Sequence, residues 1–200
     1  MQTVATGNRS VVSRAPGING APAFSPDGRK LAVVLSTSGT AKIYTMNLSG
    51  GQLIQLTNGY SIDTEPNWAP DGQSIIFTSS RGGNPQIYRY YFNNHQISRV
   101  TYNGDYNAKA SFFPNEQDII FMHRDGGFTI ARQNLATGQV RMLTRAGHDE
   151  SPSLAPNGKM AIYATEYGGR GVLALVSTDG NIKLRLPASE GSVQEPAWGK

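Results

Sequence analysis

The feature that most constrains this chain is a seven-residue anchor that returns in phase along its whole length. It reads Pro22-Ala23-Phe24-Ser25-Pro26-Asp27-Gly28, then Pro66-Asn67-Trp68-Ala69-Pro70-Asp71-Gly72, Ala110-Ser111-Phe112-Phe113-Pro114-Asn115-Glu116 and Pro152-Ser153-Leu154-Ala155-Pro156-Asn157-Gly158, with Pro196-Ala197-Trp198-Gly199 at the end. The inner prolines Pro26, Pro70, Pro114 and Pro156 lie 44, 44 and 42 residues apart, and Pro152 to Pro196 is again 44. A fixed period of this size marks a stack of equivalent units, because one such unit cannot bury its apolar faces alone.

Each unit reads as four short strands. The anchor supplies the first strand and a Pro-Asp-Gly or Pro-Asn-Gly turn. An apolar run follows, such as Leu31 to Leu35 or Ile119 to Met122, as expected of a strand buried on both faces. A glycine-bearing turn leads to a more openly alternating third strand, for example Gln86-Ile87-Tyr88-Arg89-Tyr90, and another turn to a fourth. No window carries a sustained helical stripe. The expected fold is therefore all-β: a partial β-propeller of four-stranded antiparallel blades. The expected boundaries are a half blade over 1–18, blades over 19–62, 63–106, 107–148 and 149–192, and the first strand of a further blade over 193–200. Within the half blade, 1–6 and 9–14 are expected to pair as outer strands. Phe24, Trp68, Phe112 and Trp198 are expected to pack between blades.

Composition narrows the function classes. The formal charge of +4 invites nucleic acid, but the arginines are scattered over turns without a basic run or an aromatic–basic signature, so no nucleic-acid partner is expected. No run of eighteen apolar residues exists, so no membrane span is expected, and no signal peptide is visible at the start. Zero cysteines exclude disulfides and thiolate metal sites.

Catalytic and metal motifs are weak. His148-Asp149-Glu150-Ser151 brings triad residue types into one loop, yet adjacent residues rarely meet the geometry of nucleophile, base and orienter. His95, His123 and His148 fall at different repeat phases. Glu65, Glu150 and Glu195 could approach one another around a channel and hold a cation weakly, although a row of hydrated carboxylates is the plainer reading. The expectation is a non-enzyme without a cofactor.

A binding surface remains. In a propeller the first strand is innermost, and the loop feeding it opens at the mouth of the central channel. Those loops carry Ala21, Thr64, Glu65, Lys109, Glu150 and Glu195, which vary in charge and size on a frame that otherwise repeats. Variable side chains on a rigid scaffold are how such a frame acquires one partner, so these six are the candidate partner-binding residues. Tyr60, Tyr102 and Tyr106 sit in the same interblade connections.

The anchor, followed by Ile43-Tyr44 or Ile87-Tyr88 and by Leu56-Thr57 or Leu143-Thr144, resembles the TolB-type propeller repeat, and the likeness runs through essentially all 200 residues. That resemblance implies about four and a half blades of a six-bladed ring. It also implies a periplasmic component of the Tol-Pal cell-envelope system that binds the lipoprotein Pal at the channel mouth, works with other Tol proteins and is exploited by bacteriocins. Propellers of this type also cap prolyl-oligopeptidase-like hydrolases, so a regulatory propeller of such an enzyme or of another envelope assembly is the alternative. An arc short of a full ring leaves apolar blade faces open. They are to be covered either by tightening of the arc until Pro196 to Trp198 approaches 1–14 or, as the favoured expectation, by self-association of two copies through the open faces.

Overall fold

The computed structural model describes residues 1–145, 147–187 and 191–199. Its strands form four separate four-stranded sheets, each a simple antiparallel meander. The first sheet comprises β1 (Asn19–Phe24), β2 (Lys30–Leu35), β3 (Lys42–Asn47) and β4 (Ile54–Gln55). The second comprises β5 (Asp63–Trp68), β6 (Ser74–Ser79), β7 (Gln86–Tyr91) and β8 (Ile97–Arg99). The third holds β9 (Tyr106–Phe112), β10 (Asp118–Arg124), β11 (Phe128–Asn134) and β12 (Val140–Met142). The fourth holds β13 (Glu150–Leu154), β14 (Met160–Tyr167), β15 (Arg170–Ser177) and β16 (Lys183–Arg185). No described residue is helical. The sheets do not close on one another; they are open blades of a partial propeller.

The repeated motifs each have a local cause. In the anchor turn the Asp or Asn side chain folds back on its own backbone. Asp27, Asp71, Asn115 and Asn157 each accept, through Oδ1, the N–H two residues on, at 3.0, 2.8, 3.1 and 3.0 Å. Such Asx turns are why Asp and Asn hold this position. Gly72 completes the turn with a φ of 70°, whereas the third blade forces Glu116 to 58° in the same place. The threonine after the fourth strand is a lock: Oγ1 of Thr57, Thr101 and Thr144 accepts the buried N–H of Ile43, Ile87 and Ile130 at 3.0, 2.9 and 2.9 Å. An unmet N–H there would cost about 1–3 kcal/mol.

The core lies between blades. Ile76 and Ile87 of the second sheet meet Phe112, Ile119 and Phe121 of the third, and Ile120 and Ile130 of the third meet Ala161, Ala174 and Val176 of the fourth. β5 packs against β1 and β9, and β9 against β13, so the first strands stand innermost. Trp68 is 8% exposed and donates its indole N–H to Ala23 O at 3.2 Å in the preceding blade, and Phe112 is equally buried. Phe24 and Trp198 differ from expectation. Phe24 is 58% exposed, because among the described residues no sheet lies against the first one on the side opposite the second. The outer strands expected over 1–6 and 9–14 also do not form: one bridge, Gln2 to Arg9, joins these segments. Pro196 to Trp198 is not a strand, although the Trp198 N–H reaches Ser153 Oγ at 2.8 Å.

Candidate functional site at the channel mouth

Every first strand carries a bulge at one repeat position. The register with the second strand slips between Gly20 and Ala23, between Thr64 and Asn67, opposite Ile120 and Met122, and between Glu150 and Ser153. The extra residue takes the left-handed conformation. Ala21, Glu65, Lys109 and Ser151 have φ of 45, 54, 54 and 54°, and Glu195, at the same repeat position but outside any strand, has 55°. No glycine relieves any of them, and a non-glycine residue there costs about 1–3 kcal/mol. Bulges re-aim side chains, and this one turns a row of unlike residues towards the axis.

Four of the six sequence candidates, Ala21, Glu65, Lys109 and Glu195, line one cavity of about 980 Å³ along the inner strands, together with Trp68 and Phe112. Their polar groups are linked from blade to blade. Glu65 Oε2 accepts Thr78 Oγ1–H at 2.7 Å and the Lys109 backbone N–H at 3.0 Å. Lys109 Nζ donates to Ser151 Oγ at 2.7 Å and pairs with Glu195 Oε1. One level deeper, Asn67 Oδ1 accepts the Phe112 N–H at 3.3 Å, just as Ser153 takes that of Trp198. The equivalent Ser111 hydroxyl is buried without a partner among the described residues.

Two candidates lie elsewhere. Thr64 is half-buried, pairing across the sheet with Thr78 one position before the bulge. Glu150 holds the same phase in its blade and lines a separate cleft of about 400 Å³ with His148 and Glu166. The residue that joins the mouth is its neighbour Ser151, which residue type alone did not single out. Its signal was positional, because it directly precedes the anchor proline, as do Ala21, Glu65 and Glu195.

The other chemistry-bearing residues disperse. Glu65 and Glu195 are engaged by donors and Glu150 faces a different cleft, so the three carboxylates do not gather on a cation. Among the described residues no group of three His, Asp or Glu is placed to hold a metal. The triad-like loop splits three ways: His148 faces Glu166 at 3.8 Å, buried Asp149 accepts Thr165 Oγ1–H at 2.6 Å, and Ser151 faces Lys109. Burial, with Glu65 adding to it, raises the Tyr106 phenol above its usual range beside the mouth.

The TolB beta propeller domain profile matches residues 1–200. A Tol-Pal system protein TolB from Coxiella burnetii is 78% identical over 71 residues, covering 36% of this chain and 16% of that protein. The crystal structure of TolB from Acinetobacter baumannii superposes with a TM-score of 0.92 at 45% identity, over 98% of this chain and 50% of that one. The chain thus spans about half the length of that relative. A puromycin hydrolase shares the fold alone, with a TM-score of 0.67 at 14% identity over 86% of this chain and 30% of that one. Among the described residues no helix is long and apolar enough to cross a membrane. With the repeat, the open blades and a match along its full length, the chain belongs to the TolB beta propeller family.

Proposed function

We propose that this propeller segment is a non-enzymatic binding scaffold of the Tol-Pal system, working in the periplasm, and that it docks the lipoprotein Pal at the channel mouth. The observation that carries the reading is the strained row at the mouth. Four successive bulges, and Glu195 at the same repeat position, hold unlike side chains where glycine would be unstrained, and such strain concentrates at recognition sites. The names of the relatives supply the system. The cavity wall combines buried aromatic rings with an ordered Glu–Lys–Ser–Glu row, suited to a polar peptide segment. A bacteriocin that enters cells through the same assembly would compete for this surface. Bare apolar side chains such as Phe24 make self-association a further expected contact, read by sedimentation over a range of concentrations.

The test is calorimetry with purified Pal. Binding is expected, and Lys109→Ala should weaken it by about 1–3 kcal/mol, the range of an interface hot spot. Failure of the folded chain to bind Pal, or equal binding by Lys109→Ala and Glu195→Ala variants, would overturn the assignment.

A further inference from the structure

A further cleft, of about 260 Å³, lies away from the channel, between the outer strands of the second blade and the third. Arg89 of β7 lines it with Tyr91, Ser98, Arg99, Gln133 and Leu135. Gln133 closes it from the third blade, donating Nε2–H to Val100 O at 2.8 Å.

The repeat supplies an internal control for Arg89. Each arginine follows by two positions an isoleucine held by the threonine lock, so Arg132 of β11 is its counterpart. Arg132 is satisfied within the chain: it stacks on Phe113 with 4.7 Å to the ring centre, and its NH2 group donates to Asp118 Oδ2 at 2.9 Å. Asp118 opens β10; the residue opening β6 is Ser74. Arg89 is held as firmly, between the rings of Tyr91 and Phe112 at 4.9 and 5.1 Å, with Nε donating to Ser74 Oγ at 2.9 Å. However, among the described residues it pairs with no carboxylate. The second blade keeps the ordered guanidinium and omits its anion.

We propose that this cleft is a carboxylate site, in which Arg89 takes an acidic side chain of a protein ligand as Arg132 takes Asp118. A guanidinium fork satisfies both oxygens of a carboxylate with two parallel N–H donors. Arg99 also lines the cleft, but its Nε is committed to Thr101 O at 2.6 Å and its guanidinium stacks on Tyr102. A phosphate would need both arginines, and titration with inorganic phosphate separates it from a carboxylate. The volume is below the roughly 300–1,000 Å³ of ordinary small-molecule pockets and suits one side chain. The aromatic sandwich fixes the guanidinium in advance, which lowers the entropy lost on pairing.

The experiment is NMR titration of the Arg89 Nε–H signal in the whole chain, assigned from an Arg89→Lys variant. The probes are N-acetylglutamate, N-acetylglutamine and inorganic phosphate. A saturable shift with N-acetylglutamate at millimolar concentration and none with N-acetylglutamine is expected. Ser74→Asp, which supplies the internal carboxylate of the third blade and keeps the arginine, should weaken that binding by about tenfold or more. Three outcomes overturn the proposal: no saturable shift, equal binding in Ser74→Asp, or phosphate binding as strongly as N-acetylglutamate.

Discussion

Among the described residues two lysine–carboxylate pairs join one repeat unit to another, and they sit in opposite surroundings. Lys42 and Asp63 join the first blade to the second at 3.7 Å with side chains 1% and 0% exposed. Lys109 and Glu195 meet at the channel mouth with side chains 23% and 71% exposed. The buried pair is fully dressed. Lys42 Nζ also donates to Ser61 O, while the Asp63 carboxylate accepts Ser79 Oγ–H and both oxygens receive Arg81 NH2 at 3.0 and 3.1 Å. At the mouth the pair is wet and joined by a single serine. Burial makes the first pair a structural joint that fails if broken, whereas exposure leaves the second free to exchange partners.

The sharpest way to test this contrast is to break the buried joint. Asp63→Ala leaves Lys42 charged and enclosed, and should cost about 3–5 kcal/mol in urea denaturation. The next blade shows what a neutral joint looks like. There Gln86, Asn107 and His123 hold the positions of Lys42, Asp63 and Ser79, and Asn107 donates Nδ2–H to Gln86 Oε1 at 2.7 Å. The backbone bond is shared, Asp63 N to Ala41 O at 3.0 Å and Asn107 N to Pro85 O at 2.9 Å. A Lys42→Gln, Asp63→Asn double variant should therefore recover most of the loss. A double as unstable as Asp63→Ala would show that the charges themselves hold the blades.

Glu65 tests the contrast from the other side, since it lies at the mouth but is bound inwards. As an exposed mouth residue read from sequence, it would tolerate Glu65→Ala with almost no change in stability. The structure alters that expectation: its carboxylate ties Thr78 to the Lys109 N–H of the next blade. Removal should cost about 1–2 kcal/mol. A shift in urea midpoint within error would mean that water replaces the carboxylate freely.

The neutral joint carries its own signature in pH. His123 is buried, and its Nδ1 meets Asn107 Oδ1 at 2.8 Å. The Asn107 amide already donates to Gln86 and to Asn103 O, so its oxygen accepts and the ring proton sits on Nδ1. Burial holds the imidazole below its ordinary range, against a weaker upward pull from Asp125 and Asp105. The unfolded chain therefore takes up this proton first. The joint's contribution is complete above about pH 6.5 and falls as pH drops towards the folded value, by at most about 1.4 kcal/mol per pH unit. His123→Gln should remove that slope and leave the Lys42 joint unaffected. An unchanged slope would assign it to other groups.

How much of this could be read in the residues follows the same division. The blades were legible because anchor, turn and lock each depend on neighbours within a few positions, and because the period of 44 exposes them. Charge and size variation pointed to the mouth as well. What escaped was the conformation at a single position. Whether residue 150 or 151 turns towards the axis depends on where the bulge places its extra residue, and Glu150 was preferred over Ser151 by residue type. The joint escaped too, since Lys42 and Asp63 are 21 positions apart and opposite charges at that distance carry no local signal. The outer strands expected over 1–6 and 9–14 failed because a strand needs a neighbour to pair with, and the structure gives these segments one bridge.

The smallest expected effect is at the exposed pair itself. Glu195 lies outside any strand, and its side chain is largely in water. Solvent screens its attraction for Lys109, and ordering two long side chains offsets much of the rest, so Glu195→Ala should change stability by about 0.5 kcal/mol or less. Lys109 would then keep Ser151 and lose its counter-charge, leaving the mouth more positive. If the mouth recruits a partner, that change should appear chiefly in the association rate and its salt dependence, because charges at the edge of an interface steer encounter more than they hold the complex. Stopped-flow binding of Pal at two ionic strengths reads this directly. An association rate insensitive to both Glu195→Ala and salt, with stability also unchanged, would place the partner's contact away from this pair and leave Lys109 and Glu195 as ordinary surface charges.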